Sequence, residues 1–137
     1  IDNSWFIKGP KVDEFEKNLT DYCNAPAVGV SSGTSALLLA YECLRLRPGD
    51  KIVIPSFTFI STPEMATKLG LEIVWADCNK ENYTINTDDL AGILSSTKDI
   101  KAIVGVDIFG HTCDWDKMPH RVSAESTKAL SMAVTTT

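Results

Sequence analysis

The feature that most constrains this chain is a repeated exchange between two apolar periodicities. Short, nearly continuous apolar runs (Ala27-Val28-Gly29-Val30, Ile52-Val53-Ile54, Leu71 to Trp75, Ile100 to Val106) alternate with longer stretches where apolar residues recur every three or four positions. A run that is apolar throughout has no side suited to water, so it reads as a strand covered on both faces. The helical stretches between the runs are long enough for the crossovers that parallel pairing needs. The pattern predicts a mainly parallel sheet with helices on its faces.

Individual boundaries follow from local chemistry. Val12, Phe15, Leu19, Tyr22 and Cys23 fall on one stripe after Gly9-Pro10, which predicts a helix over 12–24. Residues 35–46, rich in Ala and Leu, predict a helix packed on more than one side; Arg45 and Arg47 suit its negative end, and Pro48-Gly49-Asp50 stops it. Ser61, with Glu64 three residues on, reads as a capping box opening a helix that Gly70 closes. Asp77 to Asn82 reads as a turn, and Thr87-Asp88-Asp89 opens a further helix bearing Leu90, Ile93 and Leu94. The rhythm fails after Met118, where Pro119 to Thr137 shows little apolar order. The resulting division is 1–118 as the organised part and 119–137 as a divergent or disrupted tail.

Composition narrows the function classes. A length of 137 residues suits about one domain. With 44% hydrophobic and 23% charged residues there is apolar material enough for a core. A net charge of -5 without any Lys/Arg run argues against a nucleic-acid partner. Apolar runs such as Ala36-Leu37-Leu38-Leu39-Ala40 fall far short of the ~18 residues of a membrane span, so no membrane partner is expected. Ile1 to Trp5 has neither the basic flank nor the apolar stretch of a signal peptide, and without a starting Met the chain is expected to begin inside a longer protein. Cys23, Cys43, Cys78 and Cys113 form no C-x-x-C pair, which suits a reducing, cytoplasmic setting; the sequons at Asn18 and Asn82 are then chance.

Three segments could carry chemistry. Val28-Gly29-Val30-Ser31-Ser32-Gly33-Thr34 leads from an apolar run into a helix, where free backbone N–H groups and the helix dipole favour an anion. Gly33 would allow close approach, and Thr34 and Ser35 would add hydroxyls; the alternative is that Ser32 only caps the helix. The segment matches neither G-x-G-x-x-G nor G-x-x-x-x-G-K-[ST], so a phosphate held there belongs to neither a dinucleotide nor a P-loop triphosphate. Pro55 to Thr62 places Phe57 and Phe59 among hydroxyls after a strand, suited either to stacking on a flat ring or to core packing. Asp107 to Asp116 gathers His111, Cys113, Asp114 and Asp116, but the spacing fits no tetrahedral metal site and no metal is expected; His111 reads as a loop residue near a ligand.

Taken in order, Trp5, Gly9-Pro10-Lys11-Val12, Phe15-Glu16, Ser32-Gly33-Thr34-Ser35-Ala36-Leu37, Pro48-Gly49-Asp50, Pro55-Ser56-Phe57-Thr58-Phe59, Gly70, Asp77, Ile85-Asn86 and Phe109-Gly110-His111 with Asp114 form a collinear set. On that set the chain resembles the N-terminal part of the DegT/DnrJ/EryC1/StrS family of pyridoxal-phosphate-dependent sugar aminotransferases, from about Trp5 to Met118. The resemblance implies a three-layer α/β/α architecture: part of the large domain of a type I pyridoxal-phosphate transferase. It implies pyridoxal 5'-phosphate as cofactor, its phosphate held by Gly33, Thr34 and Ser35 and its ring against Phe59. Trp5 and His111 would then lie on the substrate side. The implied activity moves an amino group from an amino acid, glutamate, to a nucleotide-linked keto-deoxysugar in surface-polysaccharide or deoxysugar biosynthesis, in a homodimeric full-length protein. The alternatives are a sugar dehydratase of the same family, in which His replaces the Schiff-base Lys, and a non-catalytic fragment that only associates with partners.

The chain also departs from the family pattern. Asp107 stands where members commonly carry His in a V-H-x-[YF]-G stretch. The aspartate that pairs with the pyridine nitrogen and the Schiff-base lysine belong to later E-D-x-A and S-F…K segments. Ser123 to Ala129 is similar to the sequence after that aspartate, yet Val122 would occupy its place, and Lys128 is not in the lysine's context. No catalytic residue is therefore assigned in this chain, and it is expected to be inactive alone. A sheet without its later strands would leave an apolar edge open. Analytical ultracentrifugation should accordingly find self-association, whereas a well-behaved monomer would contradict the exposed edge.

Overall fold

A computed structural model describes residues 7–118 and, for the backbone, 128–134. The chain divides into two units, Ile1–Ser32 and Gly33–Thr137. The first unit carries helix α1 (Pro10–Cys23). Gly9 caps it, and Pro10 sits at the first helical position, where its missing N–H would have had no helical partner anyway. Asn24, in the left-handed region at φ 50°, ends it. None of the α1 side chains is buried, so the predicted apolar stripe with Phe15 and Tyr22 lies open. The strand expected at 27–30 is instead an irregular segment with Val28 exposed. The Gly29 amide donates to Glu16 Oε1 at 2.8 Å, so a side chain takes the donor that a sheet neighbour would need.

The second unit contains α2 (Gly33–Cys43), β1 (Lys51–Pro55), α3 (Ser61–Lys68), β2 (Glu72–Ala76), α4 (Thr87–Ser96), β3 (Ile100–Ile108) and β4 (Lys128–Val134). The strands lie side by side as β2-β1-β3-β4, every pairing parallel. Side chains alternate across β1: Ile52 and Ile54 join Leu37, Tyr41, Met65 and Ala66 under α2 and α3, while Val53 joins Leu90 of α4 with Ile85, Ile103 and Met118. Helices therefore cover opposite faces of the sheet, and the three-layer α/β/α expectation holds for this partial domain. From β1 the chain runs to β2 at one side, then crosses back through α4 to β3 on the other. That reversal between β1 and β3 is the place where ligands of open α/β sheets collect, beyond the carboxyl ends of the strands.

Several boundaries differ from the sequence expectation. α2 stops at Cys43 rather than at 46, because Arg45 turns into the left-handed region at φ 54° and its amide donates to Glu42 O. α4, by contrast, starts at Thr87 as expected, with Asn86 as its cap: Asn86 Oδ1 accepts from Asp88 N at 2.9 Å and Asp89 N at 3.3 Å. β4 lies within the region expected to lack order, pairing along β3 from Ala102↔Lys128 to Ile108↔Val134.

Among the described glycines, Gly105 leaves the least room for a side chain. A Cβ there would stand 2.5 Å from Trp115 Cη2 and 2.8 Å from Cζ2. Gly105→Ala should lower the urea midpoint by the equivalent of about 1–3 kcal/mol through overpacking, with an unchanged slope, and Trp115→Phe should restore part of the loss.

Candidate cofactor site at the carboxyl edge of the sheet

Two helix starts meet at this edge. α2 opens with Gly33 and Thr34, and α3 opens with Ser61 just after the β1 loop. The hydroxyls of Thr34 and Ser61 lie 2.8 Å apart. Thr58 and Thr62 continue the hydroxyl cluster at 3.0 Å, and the buried Tyr41 hydroxyl donates to Thr62 O at 3.1 Å. Ser61 therefore does not form the expected capping box. α3 is entered through Ile60, already helical, with no side-chain cap, and the Ser61 hydroxyl faces another helix instead of its own. Pairing with the α2 start holds both helix ends in register, which a local cap would not do.

Around this pair the donors suit a phosphate monoester. Apart from its chain neighbours and its own helix backbone, nothing lies within 4 Å of where a Gly33 Cβ would stand, so Gly33 leaves room for close approach. Thr34 and Ser35 are half-buried on the first turn. The helix dipole adds positive potential without a formal charge. Phe59 is 56% exposed and Phe57 46%, so neither is core packing. The residues present thus fit a small phosphorylated ring: the backbone N–H groups and the Thr34 and Ser35 hydroxyls of the α2 start suit the anion, and the exposed Phe59 suits the ring.

A second cluster joins three loops. The Phe57 ring lies 5.4 Å from Tyr83 and 6.4 Å from Phe109. His111 is exposed on the turn after β3 and belongs to neither cluster. That turn is anchored by Asp107, whose Oδ1 accepts from Cys113 N at 2.8 Å, while the Cys113 thiol donates to Val106 O. Asp114 pairs with Lys117 at 2.7 Å, and that hydrogen bond holds its carboxyl below the usual value. Trp5 and Val122 lie outside the described residues.

A parallel sheet with helices on both faces and two helix starts meeting at its carboxyl edge defines an open α/β domain of the kind that holds ligands there, and comparison with known proteins names the family. The profile of the DegT/DnrJ/EryC1/StrS aminotransferase family matches residues 1–128, and the chain belongs to that family. It is 36% identical over 117 residues to the spore coat polysaccharide biosynthesis protein SpsC of Bacillus subtilis, covering 85% of this chain and 30% of that protein. It is 32% identical over 112 residues to a UDP-2-acetamido-2-deoxy-3-oxo-D-glucuronate aminotransferase of Pseudomonas aeruginosa, covering 81% and 31% respectively. Among solved structures, the E. coli GDP-4-keto-6-deoxy-D-mannose-3-dehydratase with bound hydrated pyridoxal phosphate aligns with a TM-score of 0.85 at 25% identity, over 95% of this chain and 35% of that one. The chain thus spans about a third of the length of its relatives, and pyridoxal phosphate is the cofactor of the family. Among the described residues, no helix is long and apolar enough to cross a membrane.

Burial raises the Cys113 thiol from 9.0 to about 12. A folded value above the unfolded one means that the neutral thiol stabilises the fold fully below about pH 9, and that this contribution is lost as pH climbs toward 12. Denaturant midpoints of the wild type should fall more steeply over that window than those of Cys113→Ala. At pH 8 a thiol reagent should modify the exposed Cys23 and Cys43 rapidly and Cys113 only on unfolding.

Proposed function

We propose that this chain supplies the phosphate grip of a pyridoxal-phosphate-dependent sugar aminotransferase. Gly33, Thr34 and Ser35 hold the phosphate at the start of α2, and Phe59 lies against the ring. The full-length, cytoplasmic homodimer moves an amino group from an amino acid, glutamate, to a nucleotide-linked keto-deoxysugar, with Trp5 and His111 on the substrate side. The observation that carries this reading is the room at Gly33 on the first turn of α2, together with an exposed Phe59 just before α3, in a chain matched by the family over residues 1–128. Bound cofactor supplies an electron sink for chemistry at the amino-bearing carbon. This chain's residues bind and orient it: amides and hydroxyls donate hydrogen bonds to the phosphate, and the aromatic face fixes the ring plane.

A dehydratase is the second reading, favoured by the alignment over 95% of this chain with the solved dehydratase. The two readings share the phosphate grip and differ in the residue at the Schiff-base position. The coding sequence downstream of Thr137 discriminates them: Lys in an S-F…K segment supports the aminotransferase, His the dehydratase, and neither the fragment that only associates.

The binding half is tested by titrating the chain with pyridoxal phosphate and following absorbance before and after borohydride. A weak signal, displaced by inorganic phosphate, is expected. Thr34→Ala should weaken it about tenfold, as expected for one charge-assisted hydrogen bond. Phe59→Ala should weaken it about fivefold through lost stacking. A borohydride-reducible band mapped by mass to one specific lysine, with turnover of glutamate, would overturn the expected inactivity.

A further inference from the structure

We infer that Ser61 is a positioning residue for the phosphate site, orienting the Thr34 hydroxyl from the neighbouring helix. The inference rests on the reading of Gly33 and Thr34 as the phosphate grip. Ser61 is 6% exposed, so water has little access to its hydroxyl. Its partner is Thr34 Oγ1 at 2.8 Å, 27 positions away in the chain, and it makes no cap on its own helix. A local structural role would have been that cap; the hydroxyl is committed across helices instead.

Direction of the hydrogen bond decides what Thr34 can offer. Each hydroxyl has one hydrogen and two lone pairs. A phosphate presents only acceptors at its charged oxygens, so Thr34 serves it only by donating. With Thr34 donating outward, its oxygen is left to accept, and Ser61 O–H is the donor at 2.8 Å. The pair then forms a chain, Ser61 to Thr34 to phosphate, in which each hydrogen bond polarises the next. Without the Ser61 hydroxyl, the Thr34 rotor loses the partner that holds its hydrogen toward the ligand. Ser61 thus acts through Thr34 and touches no phosphate itself.

The experiment uses pyridoxamine 5'-phosphate and pyridoxamine, amines that form no adducts with surface lysines, titrated against the full chain by fluorescence anisotropy. The readout is the preference for the phosphorylated over the unphosphorylated ligand, which a general loosening of the fold leaves unmoved. Wild type should prefer the phosphorylated ligand by about tenfold or more. Ser61→Ala should cut that preference about three- to tenfold. In a Thr34→Ala background, Ser61→Ala should cost nothing further, because its route to the ligand is gone. Should Ser61→Ala fail to fold, Ser61→Cys, a weaker donor, carries the same comparison. Ser61→Ala matching wild type, weakening both ligands equally, or adding its full cost to Thr34→Ala overturns the positioning role while the functional reading stands. A wild type without phosphate preference, or a Thr34→Ala chain that keeps it, overturns the functional reading and this inference together.

Discussion

The burial of β1 on both faces is the constraint on which the rest of this structure depends. Ile52, Val53 and Ile54 are all fully buried, which is possible only if helices cover the sheet above and below. One face takes α2 and α3, the other α4, and the chain must therefore reverse its direction of travel across the sheet beside β1. The reversal opens the carboxyl edge between the loops that follow β1 and β3. A short apolar run in the sequence thus determines where a ligand has room to sit.

What was legible in the sequence divides along the range of the interactions involved. Strand interiors were readable because two-faced burial demands continuous apolar residues, and Ile52-Val53-Ile54 and 100–106 lie where expected. Ends were less so: the early stop of α2 is made by a left-handed Arg45, a residue type that gives no warning of that conformation. β4 escaped notice because Lys128–Val134, with its Ala, Leu and Met, is locally suited to a helix, and pairing along β3 overrides that preference. The reverse error occurred at 27–30, where β-branched residues read as a strand but Glu16 satisfies the amide. At the candidate site, small residues, hydroxyls and aromatics in a turn left capping at Ser32 and core packing of Phe57 and Phe59 as alternatives, and only the family resemblance selects Gly33, Thr34 and Phe59. The Ser61 partnership was not legible, since a serine three residues before a glutamate looks locally like a cap.

The turn after β3 shows how a departure from a family pattern is absorbed. At the position where the resemblance implies His, Asp107 directs its carboxylate inward to Cys113 N, and its own carbonyl accepts from Gly110 N at 3.2 Å. The carboxylate thereby fixes the loop carrying Phe109 and His111. Phe109 and Tyr83 both occupy the left-handed region, at φ 54° and 61°, where bulky side chains are uncommon. Their contacts with Phe57 accompany that conformation.

The all-parallel order of the sheet carries a kinetic consequence. No two neighbouring strands are joined by a tight hairpin, so no ladder forms by closing a short loop. β1 finds β2 only after the α3 segment has collapsed between them, and β3 must bypass β2 to reach its place. Loop-closure entropy is therefore paid before any inter-strand hydrogen bond repays it, the regime of slow folding. On a ribosome, the β1–α3–β2 unit emerges with the β3-facing side of β1 still vacant. Until β3 arrives, Ile52, Val53 and Ile54 belong to an unfinished edge, and the rate of that arrival sets how long the nascent chain is open to wrong partners.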